Sequence, residues 1–98
     1  MTDLHTLVLQ DRRLALLTLL ANSSGYKAGG PMLQLALAGI GHNVALDTVG
    51  GDMAWLRDSG LLSLDNVGGI YIALLTPRGL DVAKGYTEVP GVARPRPE

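Results

Sequence analysis

Residues 46–80, LDTVGGDMAWLRDSGLLSLDNVGGIYIALLTPRGL, limit the fold more than any other part of this chain. Val49, Met53 and Leu56 stand at i, i+4 and i+7, which predicts a helix over about 45–59 with one buried face. Gly60 is placed to end that helix in a left-handed conformation. Residues 61–64 and 70–75 are short apolar runs suited to strands, and Asp65-Asn66-Val67-Gly68-Gly69 between them holds the residue types that tight hairpins use for positive φ. Thr76 then caps a further helix with Pro77 at its first position, continued by Leu80, Val82 and Ala83 as far as Gly85.

The part that precedes this unit supplies two more helices. Leu4, Leu7, Val8, Leu14, Leu17, Leu20 and Ala21 fall near a 3.6-residue period and predict helix 1 over 4–22, in one or two pieces. Leu9, Leu16 and Leu19 widen its apolar face beyond what one small core needs, so a homodimer is expected. Residues 22–25 end that helix and 26–30 read as a loop. Pro31 suits the first turn of helix 2, which Met32, Leu33, Leu35, Ala36 and Leu37 carry to Gly39. Residues 90–98, with three prolines, two arginines and no apolar period, read as a disordered tail behind a single domain over 1–89.

At 98 residues and 47% apolar content the chain can bury one Leu-rich core. It has no cysteine, which excludes a disulfide framework and a thiolate metal site. No apolar run reaches the roughly 18 residues that span a bilayer. The start MTDLHTLVLQDRR carries its basic pair after the apolar residues, the reverse of a secretory signal. A cytoplasmic protein with no membrane contact, metal or cofactor is the expectation.

The order helix, helix, turn, helix ending WLRDSGLL, Gly-rich hairpin and LTPRGL resembles winged helix-turn-helix regulators of the ArsR and MarR type. The likeness covers roughly residues 12–85. Chain length and the wording DRRLALLTLL are also similar to small winged-helix proteins of Mu-like bacteriophages. The resemblance implies an α+β, mainly α fold: three helices, a two-stranded β-hairpin wing and a short C-terminal helix. It also implies phage or prophage origin and duplex DNA as partner, with the third helix in the major groove and the hairpin along the backbone.

Carried over residue by residue, that role falls on Thr48, Gly50, Gly51, Trp55 and Arg57 of helix 3 and on Asn66, Gly68 and Gly69 of the wing. Arg12, Arg13, Lys27 and Arg78 would be auxiliary phosphate contacts. The chemistry fits poorly. Base edges are read by Arg, Lys, Asn and Gln with help from Ser and Thr, and on helix 3 only Thr48 and Arg57 qualify. Between Ala28 and Thr76, Arg57 is the single Lys or Arg against Asp47, Asp52, Asp58 and Asp65. The whole chain has a net charge of -1. Affinity for a polyanion comes from cations that replace condensed counterions, and this surface is short of them.

Several residues keep two readings. Gly50 and Gly51 either admit a partner's backbone or mark a late or tightly packed start of helix 3. Trp55 is either an exposed anchor or a core residue. His42 in the turn is a capping or surface residue before it is a ligand. The serines have no His and acid at triad spacing and Gly29-Gly30 lacks a following Lys-Ser/Thr, so catalysis is not expected. Two functions remain: a DNA-binding, transcription-regulator-like protein, or a winged-helix protein-interaction module in phage development or assembly, which the acidic third helix favours.

Overall fold

A computed structural model describes residues 3–96. Over these residues the fold is α+β and mainly helical, with four α-helices, α1 (Leu4–Ala21), α2 (Gly30–Gly39), α3 (Leu46–Asp58) and α4 (Pro77–Ala83), and a single 3-10 turn at Ser24–Tyr26. Its three strands, β1 (Lys27–Gly29), β2 (Leu62–Val67) and β3 (Ile70–Leu75), form one antiparallel sheet in the order β1-β3-β2.

Each boundary has a local cause. Asp3 accepts the Thr6 amide at 2.8 Å and starts α1 as one continuous helix. At its far end Asn22 Nδ2 donates to the Thr18 carbonyl at 3.0 Å, and Gly25, at φ 69°, opens the connection to β1. Helix α3 closes as expected: Gly60 sits at φ 77°, its amide donates to the Arg57 carbonyl, and the Leu61 amide reaches back to the Leu56 carbonyl at 2.9 Å. Thr76 Oγ1 accepts the Gly79 amide at 3.0 Å to start α4, and donates to the Gly60 carbonyl at 2.8 Å.

The hairpin is tighter than expected. Strand β2 runs on to Val67, which pairs with Ile70, so only Gly68 and Gly69 form the turn. Both have positive φ, 61° and 86°, the conformation of a two-residue type I′ turn, whose twist matches that of the strands. Residues 26–30, expected as a loop, contain β1, which pairs along Lys27↔Leu74, Ala28↔Ala73 and Gly29↔Ile72. Lys-Ala-Gly has no strand propensity of its own; the open edge of β3 supplies the partner.

Leu16, Leu17 and Leu20 of α1, Leu33 and Leu37 of α2, and Val49, Met53 and Leu56 of α3 form the core with Leu61, Leu62, Ala73, Leu75, Val82 and Val92. The apolar stripe expected along all of helix 1 enters this core only in its second half, and Leu4, Leu7 and Val8 are exposed. The C-terminal segment also differs from expectation. Val92 is buried in the core, the Ala93 amide donates to the Gln10 carbonyl at 3.2 Å, and Gly91 lies against Trp55. Prolines alone do not make a tail disordered when a valine between them has a core to enter. Pro97 and Glu98 lie outside the described residues. Among those described, no helix is long and apolar enough to cross a membrane.

Candidate functional site

Helix α3 has two working sides. Asp52 and Trp55, three residues apart, face α1. Asp47, Gly50, Ala54 and Arg57 follow at three- and four-residue spacing and turn toward the hairpin and solvent.

On the α1 side the charges are consumed internally. Arg12 and Asp52 are both buried and form a two-point pair, Nε to Oδ2 and Nη2 to Oδ1, the second at 3.3 Å. The Arg13 guanidinium carbon lies over the Trp55 ring, 3.8 Å from its centroid, and Nη1 donates to the Gly91 carbonyl at 3.0 Å. Burial lowers the Arg13 pKa, while the Asp52 charge opposes that shift. Gly91 is at φ 95°, and a Cβ there would come within 2.6 Å of the Trp55 ring. Arg12 and Arg13 are therefore both engaged within the chain, and Trp55 is a partly covered packing residue on the side of α3 opposite Gly50 and Arg57. Sequence spacing placed Asp52 outward because nothing in a linear reading shows that Arg12, forty residues away, is waiting for it.

Other candidate contacts are also engaged. Arg78 Nη1 donates to the Ser59 carbonyl at 2.6 Å and so satisfies the C-terminal end of α3. Asn66 Oδ1 accepts the Gly69 amide at 3.0 Å and holds the hairpin turn. Lys27 is exposed on β1. His42 Nε2 and Asp11 Oδ2 are 2.8 Å apart, which ties the α2–α3 turn to α1.

On the hairpin side Gly50 and Arg57 line the space beside Tyr71, whereas Thr48 lies on the opposite side of α3 from Arg57, in line with Asp52 and Trp55, and Gly51 is exposed between the two sides. Gly50 and Gly51 lie inside α3, in its second turn, so the helix does not start late. A Cβ built on either meets no atom within 4 Å, so tight packing is not the reason for them. Arg57 Nε donates to Asp58 Oδ1 at 3.1 Å, an exposed neighbouring pair that leaves little net charge.

Between α3 and the hairpin lies an apolar hollow of about 410 Å³. Leu46, Gly50 and Met53 line it from α3, and Gly69, Ile70 and Tyr71 from the hairpin, while Asp47 lies at its edge with Gly30 and Pro31 of α2. A second hollow of about 220 Å³ shares Gly50, Met53 and Tyr71 and continues to Ala54, Arg57 and Leu64. Together they form one groove along α3. Leu46, Ile70 and Tyr71 are each exposed by close to half, more than isolated core residues would be. Of the groove residues, sequence alone marks Gly50, Arg57 and Gly69 but not Leu46, Met53, Ile70 and Tyr71, whose apolar character reads simply as core, and Gly51 lies outside the lining.

The fold and groove define a small α+β, mainly helical protein whose third helix is open toward a hairpin. No known protein-family profile matches it, so the ArsR and MarR resemblance rests on the quoted residues alone. The chain is 40% identical over 94 residues to the uncharacterized protein gp26 of Escherichia phage Mu, covering 96% of this chain and 97% of that protein. It is also 33% identical over 75 residues to an uncharacterized protein of Haemophilus influenzae, covering 76% of this chain and 72% of the other. The chain belongs to the family of the phage Mu protein gp26.

Proposed function

We propose that this protein is a winged-helix protein-interaction module of a phage or prophage, non-enzymatic and acting in the host cytoplasm. The order α1-β1-α2-α3-β2-β3-α4, with a short first strand on the edge of a C-terminal hairpin, supports the winged-helix reading. Membership in a phage protein family supports the setting. The observation that carries the functional choice is the outward face of α3: its one cation, Arg57, is matched by Asp58, and Asp47 and the bare Gly50 and Gly51 occupy the rest.

Phosphate binding needs several uncompensated cations on one surface. Arg12, Arg13 and Arg78 are engaged in contacts within the chain. The DNA-binding alternative would draw on exposed Lys27 of β1 and on Lys84 and Arg96, which line one hollow with Arg94 behind the end of α4 and with no residue of α3. Self-association through the exposed Leu4, Leu7 and Val8 at the start of α1 is a separate part of the proposal, checked by the mass measured in solution.

Titration against mixed duplex DNA at about 50 mM and about 200 mM salt tests the choice. No saturable binding at either salt is expected. Binding that is lost in Arg57→Ala and retained when Arg94 and Arg96 are replaced would overturn the interaction reading, because it would place α3 on DNA.

A further inference from the structure

We infer that the α3–hairpin groove takes an amphipathic helix of a partner protein that carries a Lys or Arg opposite Asp47. This rests on the protein-interaction reading and adds the chemistry of the occupant. Three observations on different features agree. The first is the volume and lining. At about 410 Å³ the main hollow is in the range of roughly 300–1,000 Å³ that accepts several buried apolar groups, and Leu46, Met53, Ile70 and Tyr71 line it.

The second is the shape of the α3 wall. Gly50, Gly51 and Ala54 carry the smallest side chains on its outer face, and the two glycines have nothing within 4 Å of where a Cβ would stand. A wall of small residues lets a second helix approach at the short end of the usual interaxial distance, about 8 Å. Helix α3 has 13 residues, about 20 Å, long enough to seat three turns of a partner. This is the arrangement in which an apolar helix face lies in a groove with anchors at i, i+3, i+4 and i+7.

The third is charge. Arg57 and Asp58 offset each other, which leaves Asp47, in the lining of the groove, as its net charge, while Asp65 lies on the other face of the sheet from Leu64 and Tyr71. A partner with a cation beside its apolar stripe gains from that field, and an acidic one is rejected. The exposed apolar end of α1 in a second copy, at Leu4, Leu7 and Val8, is flanked by Asp3 and Asp11 and so brings like charge to Asp47, and the exposed Met32 and Leu35 of α2 have no Lys or Arg on that helix.

The test is a selection from a displayed random library of peptides about 15 residues long, the length at which an isolated helix becomes marginally stable. The purified full chain is the bait. Enriched peptides are expected to show apolar residues at helical spacing with at least one Lys or Arg, and to shift the amide resonances of Leu46, Gly50, Met53 and Tyr71. Gly50→Leu should weaken these peptides more than about tenfold with no loss of thermal stability, since the leucine projects into the groove. Asp47→Lys should also weaken them and admit acidic peptides instead. The inference is overturned if no pool distinguishes the wild type from Gly50→Leu, if the enriched peptides are acidic or bind elsewhere, or if the wild type is a dimer that Gly50→Leu turns into a monomer. Failure of the selection with duplex DNA still unbound would remove this inference alone; saturable DNA binding lost in Arg57→Ala would remove the reading beneath it.

Discussion

The two sides of α3 treat their unusual residues differently. Toward α1 the unusual residues are engaged within the chain: buried Asp52 meets Arg12, and Trp55 lies between Arg13 and Gly91, with Arg13 Nε the one buried polar atom left without a partner among the described residues. Toward the hairpin, the two helix-interior glycines have open space where a Cβ would stand, and Asp47 is exposed in the first turn of α3. The glycines make the contrast plainest. A Cβ at Gly79 would overlap the Leu61 carbonyl, so that glycine is required by the docking of α4 on the start of β2, whereas Gly50 and Gly51 are surrounded by open space. A local rule broken without an internal compensation points outside the molecule, to a function.

Mutations can break this contrast from either side, beginning with the largest expected effect. Arg12→Ala strands the buried Asp52 carboxylate and should cost about 3–5 kcal/mol in urea unfolding. The double change Arg12→Met with Asp52→Leu should recover most of that, because it is the unpaired charge and not the absent attraction that is expensive. Gly79→Ala should cost about 3 kcal/mol, the upper end of ordinary overpacking, by pushing α4 away from Leu61. Gly50→Ala and Gly51→Ala have the opposite sign: each should stabilise the protein by about 1 kcal/mol, the helix propensity gained with no clash to offset it. A destabilised Gly50→Ala would show that the space beside α3 is needed by the fold itself.

The smallest effect concerns pH. The Thr6 amide, by its hydrogen bond, holds the Asp3 carboxyl below its ordinary value of 3.8. A carboxylate with a lowered folded pKa stabilises above the unfolded value and loses that contribution as pH falls through the folded one. Protection of the first-turn amides of α1, measured against their intrinsic exchange rates, should therefore fall below about pH 4 and change little between neutral pH and pH 5. Because Asp3 is fully exposed, global unfolding should hardly register it.

How much of this is legible in the sequence follows the same division. The helix stop at Gly60, the Gly68-Gly69 turn and the Thr76 cap depend on neighbours within a few residues, and reading them in order places α3, the hairpin and α4 closely. Strand β1, the Arg12–Asp52 pair and the seating of Val92 depend on partners forty or more residues distant, and no local pattern announces them. Arg12 and Arg13 look like surface cations because arginines usually are. The groove was half visible: its glycines and its acid stand out, while Leu46, Met53, Ile70 and Tyr71 pass for core until the hollow beside them is seen.

The central claim is that the outward face of α3 is open for something other than DNA. Amide chemical-shift mapping of the isotope-labelled protein against a mixed duplex tests it most directly, at about 50 mM salt, where any electrostatic attraction is strongest. The account predicts no saturable shift at Thr48, Gly50, Gly51, Arg57 or Asn66, with any weak movement confined to Lys27, Lys84 and the segment around Arg94 and Arg96. Saturable shifts at Thr48, Gly50 and Arg57 together would contradict it and make α3 a DNA-reading helix despite its charge.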